Sequence, residues 1–123
     1  MNRFLAVGAG GFLGAIARYA ITIAVSGWWR RDFPLATILI NVSGSFILGF
    51  FLTLAAGRIS SDPYWRLFVA TGFVGAYTTF STFEYETQRL TEAGSLGWAT
   101  LNVVTSVLAG YIAVQCGVLL ARR

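Results

Sequence analysis

The chain has 123 residues, of which 56% are hydrophobic and only 11% charged, with a formal net charge of +4. That balance excludes an ordinary soluble domain, and the length leaves room for about four spans of roughly 20 apolar residues and no extramembrane domain. The cations are all arginine and form no patch of the kind that binds nucleic acid, whereas an anion drawn to a membrane mouth suits such a field.

The first span is read over Phe4–Val25. Gly8, Gly10, Gly11 and Gly14 thin one face for close helix approach; Gly10 and Gly14 have small-xxx-small spacing, and Arg18 continues their stripe. Arg3, the apolar run and Ala15–Ile16–Ala17 also have the outline of a signal peptide. Removing that segment would leave three spans and discard the glycine face, so it is kept as a helix. The connector Gly27–Phe33 sets Trp28 and Trp29 beside Arg30 and Arg31, an interfacial belt that Trp65 and Trp98 extend.

The second span, Pro34–Gly57, repeats polar groups every four residues at Thr37, Asn41 and Ser45, with Ser43 and Gly44 alongside. An amide inside a membrane needs partners, so Asn41 either lines a path or binds a neighbouring helix. Beyond the connector Arg58–Tyr64, the third span covers Trp65–Gln88. Its middle reads GFVGAYTTFSTF, from Gly72 to Phe83. Lipid forbids unpaired backbone and discourages polar side chains, so this stretch must face protein, water or an ion. Phe80 and Phe83 share one helical face beside Thr78, Thr79, Ser81 and Thr82, which suits a narrow dehydrating path better than a water-filled pore. Glu86 follows; an ionised carboxylate there would repel anions, so it should pair, snorkel or be protonated when buried, and the expected state is a solvated end-of-helix glutamate.

After Arg89–Ser95, the fourth span Leu96–Ala121 carries Asn102 and Ser106 at the same spacing, with Thr105 adjacent and Gly110 continuing the stripe. Hydroxyls often bond back to their own helix, so they are weak evidence alone. The lone Cys116 is read as a small packed residue. The sequence offers no Cys–His pair, clustered metal ligands, phosphate loop or converging titratable groups, so it is not read as an enzyme.

Four spans put both termini and the second connector on one side, with Arg3, Arg58, Arg66, Arg122 and Arg123. The other side carries Arg30, Arg31 and Arg89, plus Arg18 if it snorkels outward. So small a bias leaves two outcomes even: one fixed orientation, or insertion both ways and pairing with an inverted copy. The two halves do not resemble each other, so any inverted symmetry must come from a second subunit.

At these residues the chain resembles the Fluc/CrcB family of fluoride channels. The likeness runs through GFLGAIARY (Gly11–Tyr19), NVSG (Asn41–Gly44) and GFVGAYTTFSTF with its trailing Glu86, in order, and the four-span plan extends it over the whole chain. The resemblance implies an all-α membrane protein, a single domain over residues 1–123. It implies four transmembrane helices with a break in the third, assembled as an antiparallel dual-topology homodimer in the bacterial plasma membrane. It implies two fluoride pathways lined by Phe80 and Phe83, with Asn41 facing the pore and Thr79, Ser81 and Thr82 near the break. Thr37, Asn102 and Ser106 would extend the polar track, and Arg18 would sit by the aqueous vestibule. The carbonyls of Gly75 and Thr78 from each subunit would hold a structural sodium ion at the dimer centre. Gly110 stands where some members carry another hydroxyl. The implied function is passive export of fluoride.

Two other readings compete. A small multidrug-resistance-type exporter is also a four-span dual-topology dimer, but it needs a carboxylate in the first helix, where this chain has Arg18 and no acid. A non-transporting packing subunit accounts for the glycines but not for the polar stretch in the third span.

Overall fold

The structure is a computed structural model that describes residues 2–57 and 62–123. The second connector's Arg58 lies outside the described residues. Helix α1 spans Arg3–Ser26, α2 Leu35–Gly57 and α3 Pro63–Arg66; a π-helical stretch, π1, covers Leu67–Val74; α4 is Gly75–Tyr77, α5 Phe80–Glu92 and α6 Leu96–Ala121. The fold is all-helical among the described residues.

Local chemistry sets most of these boundaries. Asn2 accepts the Phe4 amide at 3.0 Å and starts α1, an ordinary side-chain cap. Pro34 precedes α2 and its carbonyl accepts the first-turn amide of Ile38 at 3.2 Å, so the proline sits at the cap, where its missing N–H leaves no gap. Asp62 caps α3 through the Tyr64 amide at 2.9 Å, with Pro63 in the first turn. Between α5 and α6 the chain turns at Gly94, φ +74°, the one positive-φ position among the described residues. Ser95 donates back to the Leu90 carbonyl at 2.9 Å there, and a side chain at Gly94 would be strained.

Three helices, α1, α2 and α6, are long and apolar enough to cross a membrane. The segment between α2 and α6, expected as one span over Trp65–Gln88, begins at Pro63 and runs to Glu92. It is not one helix. Its first half widens into π1, and the helix stops at Thr78 and Thr79, whose backbones are extended (φ/ψ −77°/158° and −150°/116°). The π-type stretch has no expectation to match, since periodicity does not separate it from an α-helix.

The packing is inverted relative to a soluble protein. Buried positions are dominated by small residues: Ala6, Gly10, Gly14, Gly44, Gly49, Ala99, Ala113 and Gly117. Large apolar side chains such as Phe12, Ile16, Leu108, Tyr111 and Ile112 point outward. Lipid is as apolar as leucine, so nothing drives large side chains inward, and helices gain most from close backbone approach. Helix α1 lies along π1 and α4, α2 lies along α6, and α5 joins α6. At the first of these contacts, a Cβ added to Gly10 or Gly14 would run into the carbonyls of Phe68 and Phe73, and one added to Gly72 would come within 2.6 Å of the Val7 carbonyl. That seam holds the broken segment in place.

Candidate functional site

The break is closed by a side chain from another helix. The Asn41 amide donates from Nδ2 to the Thr79 carbonyl at 3.0 Å, and its Oδ1 accepts the Thr79 amide at 2.8 Å. One primary amide thus pairs with both polar groups of one extended residue, as a neighbouring strand would. Asn41 therefore binds a neighbouring helix and also lines the groove described below. Around it, the Thr78 hydroxyl donates to the Val74 carbonyl at 2.9 Å. Gly44 lets α2 come close enough: a Cβ there would strike the Thr78 methyl and stand 3.1 Å from the Tyr77 ring. Tyr77 is buried and shares a 2.8 Å hydrogen bond with Ser43.

The break takes the helical amide partner from the carbonyls of Gly75, Ala76, Tyr77 and Thr78, and two of those amides are redirected to side chains. In a continuous helix the Gly75 carbonyl would take the Thr79 amide, which goes to Asn41 instead. The Thr78 carbonyl would take the Thr82 amide, which goes to the Thr79 hydroxyl at 3.3 Å. Both oxygens lose their helical partner at the end of α4, where helix dipoles concentrate partial negative charge. Gly75 is exposed and Thr78 half-buried. No cluster of three or more acidic, cysteine or histidine ligands occurs among the described residues.

Beside the break lies a groove of about 290 Å³. Asn41, Gly44, Ser45, Thr78, Thr79, Phe80, Phe83 and Ser106 line it, with Leu48, Val74 and Val107. The two phenylalanine rings have centroids 5.7 Å apart and planes inclined at 47°, a tilted contact. Phe83 is buried at 6% exposure, while Phe80 is 73% exposed at the surface of the chain. The groove is therefore apolar-walled with a few polar atoms, and one of its two rings is open to the surroundings.

The other expected residues divide. Thr37 and Glu86 form their own pair, the Thr37 hydroxyl donating to Glu86 Oε1 at 2.9 Å, and Glu86 Oε2 is buried with no hydrogen-bond partner among the described residues. Glu86 is thus half-buried and paired rather than solvated at a helix end. It borders a second cavity of about 340 Å³, shared with Trp29, Arg31, Asp32 and Arg89. Asn102 is fully buried and sits behind the groove, donating from Nδ2 to the Thr87 hydroxyl at 2.8 Å. Ser81 and Thr82 are exposed on α5 and line neither cavity; Thr82 joins the cap with a 2.9 Å hydroxyl contact to Thr79. Arg18 is half-buried on α1, apart from both cavities.

Sequence reasoning passed over Thr87 and Tyr77. Thr87 lies four residues after Phe83, and its hydroxyl donates to the Phe83 carbonyl at 2.8 Å; the spacing is the signal that would have found it. Nothing in the sequence pairs Tyr77 with Ser43.

A family model described as "CrcB-like protein, Camphor Resistance (CrcB)" matches residues 5–118. Curated relatives carry the name "Fluoride-specific ion channel FluC". One from Solibacter usitatus is 43% identical over 121 residues, covering 98% of this chain and 99% of the relative. One from Listeria innocua, with the same name numbered 1, is 45% identical and covers 95% of each chain. A third, from Methylococcus capsulatus, is 48% identical over 96% of this chain and 52% of its own longer sequence.

Proposed function

The chain belongs to the CrcB family, and from that premise we propose that it is a fluoride-selective ion channel that gives passive export of cytoplasmic fluoride. It is a membrane protein, and it moves an ion without making or breaking a bond. The observation that carries the reading is the groove beside the break, where two phenylalanines and a few fixed polar groups meet the end of an interrupted helix.

Fluoride is small and tightly hydrated, so a path must replace its water with compact donors. Hydroxyls at Ser45 and Ser106 and the second N–H of the Asn41 amide can do so. Phenyl edges carry the positive part of the ring quadrupole, so Phe80 and Phe83 can escort an anion without holding it. Weak holding is what conduction requires. A larger anion such as chloride meets the same narrow passage with fewer strong donors. Hydrogen fluoride enters a cell uncharged and dissociates in a less acidic cytoplasm; the trapped anion then leaves down its electrochemical gradient through the plasma membrane.

The assembly we propose is four spans per chain, the third broken, in an antiparallel homodimer. Three features support it: the near-even arginine count, the exposed Phe80 that a second copy would cover, and the freed oxygens of Gly75 and Thr78. Carbonyl oxygens stripped of helical partners suit a hard cation, and two from each of two copies would cradle a structural sodium ion on the dimer axis. Bound there, sodium would supply fixed positive charge in a poorly screening medium, which favours anions nearby.

The test is fluoride efflux from liposomes containing the purified protein, with a potassium ionophore and chloride as the comparison ion. Rapid fluoride loss with little chloride loss is expected. Retention of both ions by an intact, assembled protein would overturn the reading.

A further inference from the structure

We propose that Thr87 and Asn102 are positioning residues that set the direction of the Ser106 hydroxyl in the groove; this rests on the channel reading above. The argument follows single protons. The Thr87 hydroxyl has one, and it goes to the Phe83 carbonyl at 2.8 Å. Towards Asn102, Thr87 can therefore only accept, and the Asn102 Nδ2 donates to it at 2.8 Å. That contact fixes which end of the amide faces which way. Its oxygen is turned towards Ser106, whose hydroxyl donates to Oδ1 at 3.4 Å.

The three contacts are unequal. The two involving Thr87 have ordinary lengths and lie behind the groove, where Asn102 is 1% exposed. The third is about 0.6 Å longer than a typical O–H···O bond, so little is lost in breaking it. Ser106 lines the groove with Phe83 and Asn41. With its proton on Asn102, Ser106 presents lone pairs to the path; with the proton swung out, it presents a donor to an anion. Thr87 keeps the amide from flipping, and so keeps the resting hydroxyl parked on a weak acceptor from which a passing fluoride can draw it. A flipped amide would force Ser106 to accept, leaving its proton permanently in the path and holding the anion longer.

The chain therefore uses Asn102 as the keeper of a releasable donor rather than as a contact for the ion. Its burial and its commitment to α5 agree with that role.

The experiment is a cycle of four proteins in the liposome efflux assay: wild type, Thr87→Val, Ser106→Ala and the double variant, with Thr87→Ser as rescue. Each is checked by size exclusion for the wild-type assembly. Thr87→Val keeps the shape but removes the hydroxyl, and is expected to slow fluoride efflux at least ~10-fold, while Thr87→Ser stays within about twofold of wild type. On the Ser106→Ala background, Thr87→Val is expected to change efflux by less than about twofold, because the group it acts through is gone. Multiplicative losses, an inert Ser106→Ala, a fully active Thr87→Val, or a Thr87→Val that no longer assembles would each overturn the proposal. A wild type that moves no fluoride would instead sink the channel reading beneath it.

Discussion

Replacing Asn41 with leucine removes two hydrogen bonds from the backbone of one residue, Thr79, and puts nothing in their place. In the structure Thr79 gives its amide to Asn41 Oδ1 at 2.8 Å and takes Nδ2 at its carbonyl at 3.0 Å. Leucine has similar bulk, so the groove is not opened, but both groups of Thr79 are left without a partner. Each unsatisfied buried group costs about 1–3 kcal/mol, so the break as drawn loses about 2–6 kcal/mol. Even the lower figure corresponds to a roughly 30-fold larger fraction of molecules with the break open or rearranged. Two measurements check this. Hydrogen exchange at the Thr79 amide should quicken at least ~30-fold relative to the middle of α6. Fluoride efflux should fall by an order of magnitude or more, since Thr79 and the rings that follow it lose their placement. Asn41→Asp separates the two bonds: it keeps the acceptor for the Thr79 amide and loses the donor, so exchange should be slower than in the leucine variant. Its negative charge in the groove should still abolish efflux. An Asn41→Leu protein with wild-type exchange at Thr79 would refute the reasoning, whatever its flux.

Phe80→Leu and Phe83→Leu conserve apolar volume but delete the ring edge; each is expected to lower fluoride efflux at least ~10-fold with assembly by size exclusion unchanged, and wild-type efflux would remove the rings from the path. Gly14→Ala drives a methyl into the Phe73 carbonyl, so a loss of about 1–3 kcal/mol or more is expected, read as a lower thermal midpoint in detergent; an unchanged midpoint would show that the seam yields. Thr37→Val takes away the side-chain donor to Glu86 Oε1 and should cost about 1–3 kcal/mol by the same readout, an effect that should vanish on a Glu86→Leu background. Purification and assay with N-methylglucamine in place of sodium should slow efflux and loosen the proposed dimer, and full activity without sodium would argue against the proposed central cation.

Much of this was legible in the sequence, because lipid leaves few solutions. Length and hydropathy gave α1, α2 and α6 to within a residue or two, and glycines at small-xxx-small spacing announced the close seam of α1. The polar stretch in the third segment was legible as one that must face protein, water or an ion, because a membrane penalises it, whereas the break itself was only what the family resemblance implied. The cause of the break was not legible. That Asn41 reaches across to pair with Thr79 depends on how α2 and α4 lie against each other, which no local pattern encodes. The same holds for Glu86: at a helix end it reads as solvated, and only the approach of α2 gives it Thr37. The π-type stretch was invisible because one extra residue per turn barely disturbs an apolar run. Asn102 shows the opposite limit, since its four-residue spacing to Ser106 was plain while its partner, Thr87, belongs to another helix.

The glycine seam and the break explain each other. An interrupted helix in a membrane leaves amides and carbonyls that water cannot reach, and each must find a partner or become a site. Side chains as short as asparagine can serve only if helices approach closely, and here Gly44 brings α2 onto Thr78 and Tyr77 while Gly10 and Gly14 bring α1 onto π1. Larger residues at these positions would hold the helices apart and leave Thr79 stranded. The apolar side chains displaced outward then face lipid or another copy of the chain, where nothing is lost by exposing them. Small residues inside are therefore the condition for a break, and the break is the condition for free carbonyls and a groove beside them. Filling the Gly44 position should accordingly damage conduction before it damages insertion, because what it disturbs is the partner of the break and not the apolarity of any span.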